Sequence, residues 1–598
     1  MPRAKSAKIN CAVFWKTQQS IGTSLPQADT PAAVPPPVET PLRKDPETIL
    51  GVQPALLAGF VAVNLLIKFL FIRINLGEYT DGILQLLVLE IKAGLYPPLY
   101  GMLASAISVL GVDLEQSGRI VSVIAGGLGV IPVCMMARRL GGKSSVIFAA
   151  VFYTISPMIM RWSVRVMTDA LFFTLCATAL WMMMEAWERA RIAGAKRRAD
   201  LWLAGAALAG VAAALTRYQG AFLAVLWLLP AGAFVRYQRR LPLRALAVSL
   251  LWIALPAWMA YHGMVHSKQF QSRSMGGVFD IFLDYLNVAE SFVYIAPYYF
   301  GLPVFLFALL GMARMRRILP HARSFIWLWS LWAVIMLVLQ AMFQSFQYRY
   351  MMPVMPAVLV LAGVGAEEFE RHMIARGRRK IYSLLMLGSV IYLTVFTCAV
   401  MIFQRATFGD QREAASFIRE EVPPSVPVFS NEQYGAFTDL GSVKLSYWTG
   451  RRVSLIGPYL SEDGTSPPEK FLPTPCVVVL GDAYGGDPFV VFQTTQLNLY
   501  YHMRTIGSSH VTTYPILDDV MANPMFNQNP MGWVLRYKAQ FFSTQIVMVD
   551  SLRTPAEMRD LAKRMMVSSL AVDAVDAQTS TTAIGSQSTT NTLAVDGL

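Results

Sequence analysis

The stretch PALLAGFVAVNLLIKFLFIRINLGEYTDGILQLL, residues 54–87, decides how the chain is read. Residues 54–73 are almost wholly apolar, and about 20 such residues suffice to cross the hydrocarbon core of a bilayer. Directly beyond them stand two carboxylates, Glu78 and Asp81, with Tyr79 between them. A plain membrane anchor has no use for acids at its mouth, so the stretch predicts a span that leads into something chemical.

The rest of the chain extends the pattern. Further apolar runs lie near 118–137, 145–161, 169–187, 201–216, 219–235, 244–261, 295–313, 324–343, 350–366 and 381–403, which predicts about eleven spans. Composition agrees. The 598 residues are 55% hydrophobic and only 15% charged, where a soluble domain carries about 25% charged residues. The formal net charge of +13 raises the question of nucleic acid. Its Lys and Arg, however, fall in short clusters between apolar runs, which fits a lipid bilayer as partner and no nucleic acid. The five cysteines, at 11, 134, 176, 398 and 476, are scattered with no CxxC spacing, so neither a disulfide framework nor a zinc site is expected.

The clusters also set the expected topology. Arg138, Arg139 and Lys143 follow the second run, and Arg189, Arg191 and Lys196–Arg198 the fourth. Arg236–Arg244, Arg314–Arg323 and Arg371–Lys380 follow the sixth, eighth and tenth. All five then share one side, and the positive-inside rule makes that side cytoplasmic. The segments 74–117 and 404–598 are expected outside, together with the short loops at 161–169 and 344–349 and the longer one at 262–294. Within the first, YPPLYGMLASAISVLG (96–111) reads as a helix lying on the outer surface, since a further span there would invert every later cluster.

The expected architecture is an all-α polytopic membrane domain (51–404) followed by an extracytoplasmic α/β domain (405–575). Residues 1–50, polar and Pro-rich, and 576–598, of low complexity, read as disordered tails, the first of them cytoplasmic. In the α/β segment, QREAASFIREEVPP (411–424) has the pattern of an amphipathic helix stopped by prolines, and VPVFS, PCVVVLGD and TQIVMVD read as buried strands.

On the outer side this topology gathers Glu78, Asp81, Glu90, Asp113, Glu115, Asp169, Asp280, Asp284 and Glu290, with Arg119, Arg161, Arg165, Arg217 and Arg349 at or near span ends. Asp81 can be a solvated loop residue or the N-cap of GILQLLVLEIKAG. It can equally be a general base, partly desolvated at the membrane surface. Arg161, Arg165 and Asp169 recur every four residues, so one continuous helix would align them and allow an Arg165–Asp169 pair; the alternative is two guanidiniums offered to a phosphate. Arg349 and Arg217 either snorkel to lipid headgroups or bind a carrier phosphate. His262 and His266 stand four apart but lack the Glu of a zincin. AGGLG around Gly126 reads as close helix packing, and GDAYGGDP (481–488) has turn composition with no phosphate-loop Lys.

Taken in order, the first span, Asp81, AGLYPPLYGMLASAISVLG, GRIVSVIAGGLGVIPVCMMARRLGG, ISPMIMRWSVRVMTDALF, ALTRYQGAFL and YRYMMPVMPAVLVLAG resemble the GT-C superfold glycosyltransferases. The resemblance covers roughly 54–405 and is nearest the bacterial branch similar to protein O-mannosyltransferases and aminoarabinose lipid A transferases. It implies transfer of one sugar from a polyprenyl-phosphate carrier to a lipid, glycan or protein acceptor outside the cytoplasm. It also implies that Asp81 is the acid of the first outer loop, as base or acceptor-orienting group, that Asp169 is the acid of the second, and that Arg119 and Arg349 are the basic residues. The chain departs from the family in two places. Gly82 replaces the second acid of the first loop, which leaves Glu78 as a substitute. Tyr96 stands where some members carry a phosphate-binding Lys, so donor phosphate binding falls to Lys92, Arg119, Arg161, Arg165, Arg217 and Arg349. No metal-binding residues are expected, and a divalent cation is left open as a cofactor. A transporter or flippase of a lipid-linked or anionic substrate is the alternative, but it should show internal repeats and helices broken at mid-membrane.

Overall fold

The structure is a computed structural model that describes residues 52–90, 96–192, 195–252, 296–297, 299–315, 319–343, 348–431, 442–461, 468–482, 488–513 and 540–564. The two expected tails, Lys92 and the loop 262–294 with its two histidines and three acids lie outside the described residues.

The helical part opens with α1 (Pro54–Leu70), α2 (Thr80–Leu86) and α3 (Leu99–Ser108). It continues through α4 (Leu114–Leu128), α5 (Val130–Leu140), α6 (Lys143–Thr154), α7 (Pro157–Ser163) and α8 (Asp169–Ala190). Then come α9 (Lys196–Ala214), α10 (Leu223–Gln238), α11 (Leu243–Ser249), α12 (Leu302–Met315), α13 (Leu319–Phe343), α14 (Met355–Ala375) and α15 (Arg379–Phe403). Six helical stretches among the described residues are long and apolar enough to cross a membrane, or seven if the bent pair α6–α7 counts as one span. Among the described residues the expected count of eleven is therefore not confirmed. Helix α1 has 17 residues and α12 has 14, and the run expected over 244–261 is described only through α11.

Local chemistry explains the breaks. Asp113 caps α4 by accepting from the backbone N–H groups of Glu115 and Gln116. Pro157 opens α7 after a 54° bend, as a residue without an N–H is tolerated only in a first turn. Helix α7 then stops at Ser163, and α8 starts afresh at Asp169. The continuous helix that would have aligned Arg161, Arg165 and Asp169 therefore does not form. Close packing at Gly126 does: a Cβ there would lie 2.1 Å from the Ser163 hydroxyl oxygen. Helix α3 follows Pro97–Pro98 and lies against α4, where the Tyr100 hydroxyl donates to the Gly118 carbonyl at 2.8 Å. On α15, Leu384, Leu387 and Val395 are exposed, as lipid-facing side chains of a membrane protein are.

The C-terminal part is a small sheet with helices on both faces. Helix α16 (Gly409–Glu421) leads to β1 (Val428–Ser430), α17 (Val443–Thr449), β2 (Val453–Leu455), β3 (Cys476–Asp482), α18 (Pro488–Tyr500), β4 (Tyr501–Thr513) and β5 (Gln540–Leu552). The strand order is β2-β1-β3-β5-β4, parallel among the first three and antiparallel at β3–β5 and β5–β4. Alternation along β3 sends Val477 and Val479 to a core shared with Ala414, Ile418 and Leu445, and Cys476, Val478 and Leu480 to one shared with Leu497 and Tyr500. Both faces being covered explains why these strands read as unbroken apolar runs.

Candidate functional site

The connections after α1, α7, α9 and α15 meet with the 3-10 turn Tyr348–Val354 beneath the α16–α17 side of the sheet region. Two glycines let them close. A Cβ on Gly82 would lie 2.0 Å from the Val166 carbonyl oxygen, and one on Gly77 would lie 2.4 Å from the Phe408 backbone. The departure at position 82, a glycine where a second acid was expected, thus has a steric reason: no side chain fits there.

Asp81 lies in the first turn of α2, one residue past the start, so it is not the N-cap; Tyr79 is. Its carboxylate accepts from the Arg349 guanidinium at 2.5 Å and from the Tyr96 hydroxyl at 3.0 Å. The Arg349 side chain is only 2% exposed and that of Asp81 13%. The guanidinium is walled by aromatic rings, with centroids 5.7 Å away at Tyr79, 5.4 Å at Trp162 and 5.2 Å at Tyr350. Burial, and next the Asp81 charge, hold the Tyr96 hydroxyl well above the usual phenol range, so Tyr96 is a proton donor to Asp81 at any physiological pH.

Asp169 does not pair with Arg165. It makes a short ion pair with Arg217, which extends from the end of α9. The other Asp169 oxygen, Oδ2, is buried with no hydrogen-bond partner among the described residues. Arg217 stacks on Tyr350 at 4.7 Å, the ring that also carries Arg349. One tyrosine is therefore the common wall of two acid–arginine pairs. Arg161 donates to the Tyr79 hydroxyl at 2.9 Å, and Arg165 lies over the Tyr79 ring at 5.1 Å while donating to the carbonyls of Gly77 and Gln404. Asp81, Asp169, Arg349, Arg217, Arg161 and Arg165 thus surround a core of Tyr79, Trp162 and Tyr350.

Glu78 and Arg119 belong to a separate network. Glu78 is fully buried and accepts from Arg119 at 2.9 Å and from the Val166 N–H at 3.2 Å. Burial pushes its carboxyl above the ordinary range, with Arg119 and Arg165 opposing. One of its oxygens meets the Arg119 guanidinium and the other the Val166 N–H. Among the described residues no group of three or more His, Cys, Asp or Glu gathers to hold a metal ion.

The aromatic wall went unread in the sequence, although Tyr79 stands between the two acids and Tyr350 beside Arg349. The partnership of Asp169 with Arg217, 48 residues apart, left no signal in the spacing.

Comparison with known proteins adds three findings. Residues 96–259 match the sequence profile of the dolichyl-phosphate-mannose-protein mannosyltransferase family; that segment holds Asp169, Arg119, Arg161, Arg165 and Arg217, while Asp81 and Arg349 lie outside it. The chain superposes on ArnT from Cupriavidus metallidurans bound to undecaprenyl phosphate with TM-score 0.51 and 15% identity, over 76% of this chain and 96% of that one. On the apo state of the same protein it does so with TM-score 0.51 and 14% identity, over 82% and 98%. At such identities the likeness establishes the fold. No curated protein sequence matches the chain.

Proposed function

From a chain that carries a dolichyl-phosphate-mannose-protein mannosyltransferase family domain on a GT-C fold, we propose a membrane glycosyltransferase. It moves a sugar from a polyprenyl-phosphate carrier to a hydroxyl of a lipid, glycan or protein. The observation that carries this reading is the pairing of Asp81 with Arg349 beside that of Asp169 with Arg217 across Tyr350.

Such a site answers the chemical problem. A phosphate leaving group departs readily when guanidiniums meet its charge, and Arg349, Arg161 and Arg165 supply them. A hydroxyl is a poor nucleophile until a base takes its proton, and Asp81 is that base. The acceptor oxygen bonds to the anomeric carbon as the carbon–oxygen bond to phosphate breaks, the electron pair leaves with the phosphate, and the hydroxyl proton passes to Asp81. A single displacement inverts the anomeric centre. Asp169, with one buried oxygen still unbonded, orients the acceptor or stabilises positive charge on the sugar. The carrier phosphate draws Arg349 from Asp81, so the base becomes free when the donor is seated.

The basic clusters support a cytoplasmic N-terminus, with this site and the domain beginning at 405 on the opposite side. The test is incubation of purified protein with radiolabelled polyprenyl-phosphate sugars and a cell-envelope extract. Label should pass to an envelope component; its remaining on the carrier for every sugar tried would refute the proposal.

A further inference from the structure

The reaction described above has no use for Glu115, yet this acid is buried and collects three strong donors. It accepts from Arg119 on its own helix at 2.8 Å, from Arg412 on α16 at 2.7 Å and from the Trp448 indole N–H on α17 at 3.1 Å. Its side chain is 6% exposed, whereas that of Arg412 is 44% exposed. A carboxylate removed from water needs such a set of partners to be tolerated at all. Two of the three come from the sheet region and one from the bundle, so Glu115 is one of the points at which the two are joined.

What Arg119 does next gives the junction its meaning. Besides Glu115 it bonds the Ile72 carbonyl at 3.4 Å, the Asn75 carbonyl at 3.3 Å and Glu78 at 2.9 Å. It thereby pins three points of the segment that ends in Asp81. Glu78 in turn holds the Val166 N–H, three residues before Asp169. A chain of alternating charge therefore runs from Arg412 through Glu115 and Arg119 to Glu78, and from Glu78 it reaches the backbones that carry both acids of the site.

We propose that Glu115 is a positioning residue: it transmits the seating of the α16–α17 face to the placement of Asp81 and Asp169, so that the sheet region is part of the catalytic frame. The inference rests on the proposed transferase reading. Without the Glu115 charge, Arg412, already half exposed, turns to solvent and releases the sheet side. Arg119 keeps Glu78 but loses one of the three partners of its Nη2 nitrogen, which Glu78 and the Asn75 carbonyl still hold. Displacement of a catalytic group by about 1 Å costs on the order of 100-fold in rate, while Arg349 and the Trp162 and Tyr350 rings beside it lie outside the released segments.

The test compares full-length wild type with Glu115→Gln, Glu115→Asp and Arg412→Ala in lipid nanodiscs. Hydrogen exchange of the 72–82 and 164–168 backbone is followed together with donor Kd and label transfer. Glu115→Gln should exchange faster in both segments and lose about 10- to 100-fold in turnover, with a smaller loss of donor affinity than of turnover. Arg412→Ala should show the same pattern more weakly, and Glu115→Asp should recover part of the turnover. Unchanged exchange in 72–82 in both Glu115→Gln and Arg412→Ala overturns the inference, as does a turnover loss matched by an equal loss of donor affinity. Should Glu115→Gln fail to fold, Arg412→Ala decides alone. Because exchange is measured without any substrate, a wild type that transfers no sugar refutes the transferase reading and leaves the coupling to be judged on exchange.

Discussion

Asp81→Asn separates chemistry from structure more cleanly than any other change at this site. The amide keeps the shape of the carboxylate, and its oxygen still accepts from Arg349 or from Tyr96, which approach at 2.5 Å and 3.0 Å. Two terms follow from the geometry. The first is structural: breaking a buried ion pair by removing one charge costs about 3–5 kcal/mol. Here the cost falls at the low end, because Asp81 is partly exposed and three aromatic rings still face the guanidinium. The second is chemical: loss of a general base lowers the rate by about 10²–10⁴-fold, equivalent to about 3–5 kcal/mol in the barrier. The assay is single-turnover transfer of label from the polyprenyl-phosphate sugar, run beside donor binding and thermal unfolding of the same preparation. The expected result is folded protein that binds donor at least as tightly as wild type, since Arg349 is no longer held by a carboxylate, and that transfers at least 100-fold more slowly. Turnover within about threefold of wild type, under conditions where chemistry is rate-limiting, would refute Asp81 as the base.

Three further outcomes test the rest. Arg349→Ala should weaken donor binding by more than it slows saturated turnover, and an unchanged donor Kd would remove its phosphate role. Gly82→Ala should destabilise by about 1–3 kcal/mol, read as a lowered unfolding midpoint, because its new methyl meets the Val166 carbonyl. In the sheet region, burial pushes the Asp410 carboxyl above the ordinary range, with Thr544 and Lys444 only partly offsetting it. The native state then binds the proton more tightly than the unfolded chain, so between the ordinary carboxylate value and the raised one stability falls as pH rises. Wild type should therefore gain stability relative to Asp410→Asn on acidification through that window, and parallel pH profiles would contradict this.

Much of the fold could be read in advance because its signals are local. The apolar runs and the helix pattern of 411–424 each act on their own neighbourhood, and helices stand at those places, whereas the bend before Pro157 divides a run that reads as one. The count of spans was harder. Whether a run of intermediate length crosses a bilayer depends on what it packs against, and α1 and α12 end short of that length. Arg161, Arg165 and Asp169 were misaligned for a related reason: spacing assumes a continuous helix, and the turn at 164–168 is imposed from outside by Gly82 and Glu78. Of the site, the acids and arginines were legible as charges that a membrane protein does not keep idly. Their pairing was not, because Arg217 reaches Asp169, and Arg349 reaches Asp81, across 48 and 268 residues.

The contact between Gly82 and Val166 has a bearing on how this molecule would sort its substrates. Backbone packed on backbone ties the segment that bears Asp81 to the one that bears Asp169, so the two acids shift together rather than apart. The guanidiniums of Arg349 and Arg217 reach in from other parts of the fold on long stems. Acids tied to each other through the main chain and faced by long-stemmed arginines would let one such enzyme accept differing anionic heads while insisting on a single angle of approach for the incoming oxygen.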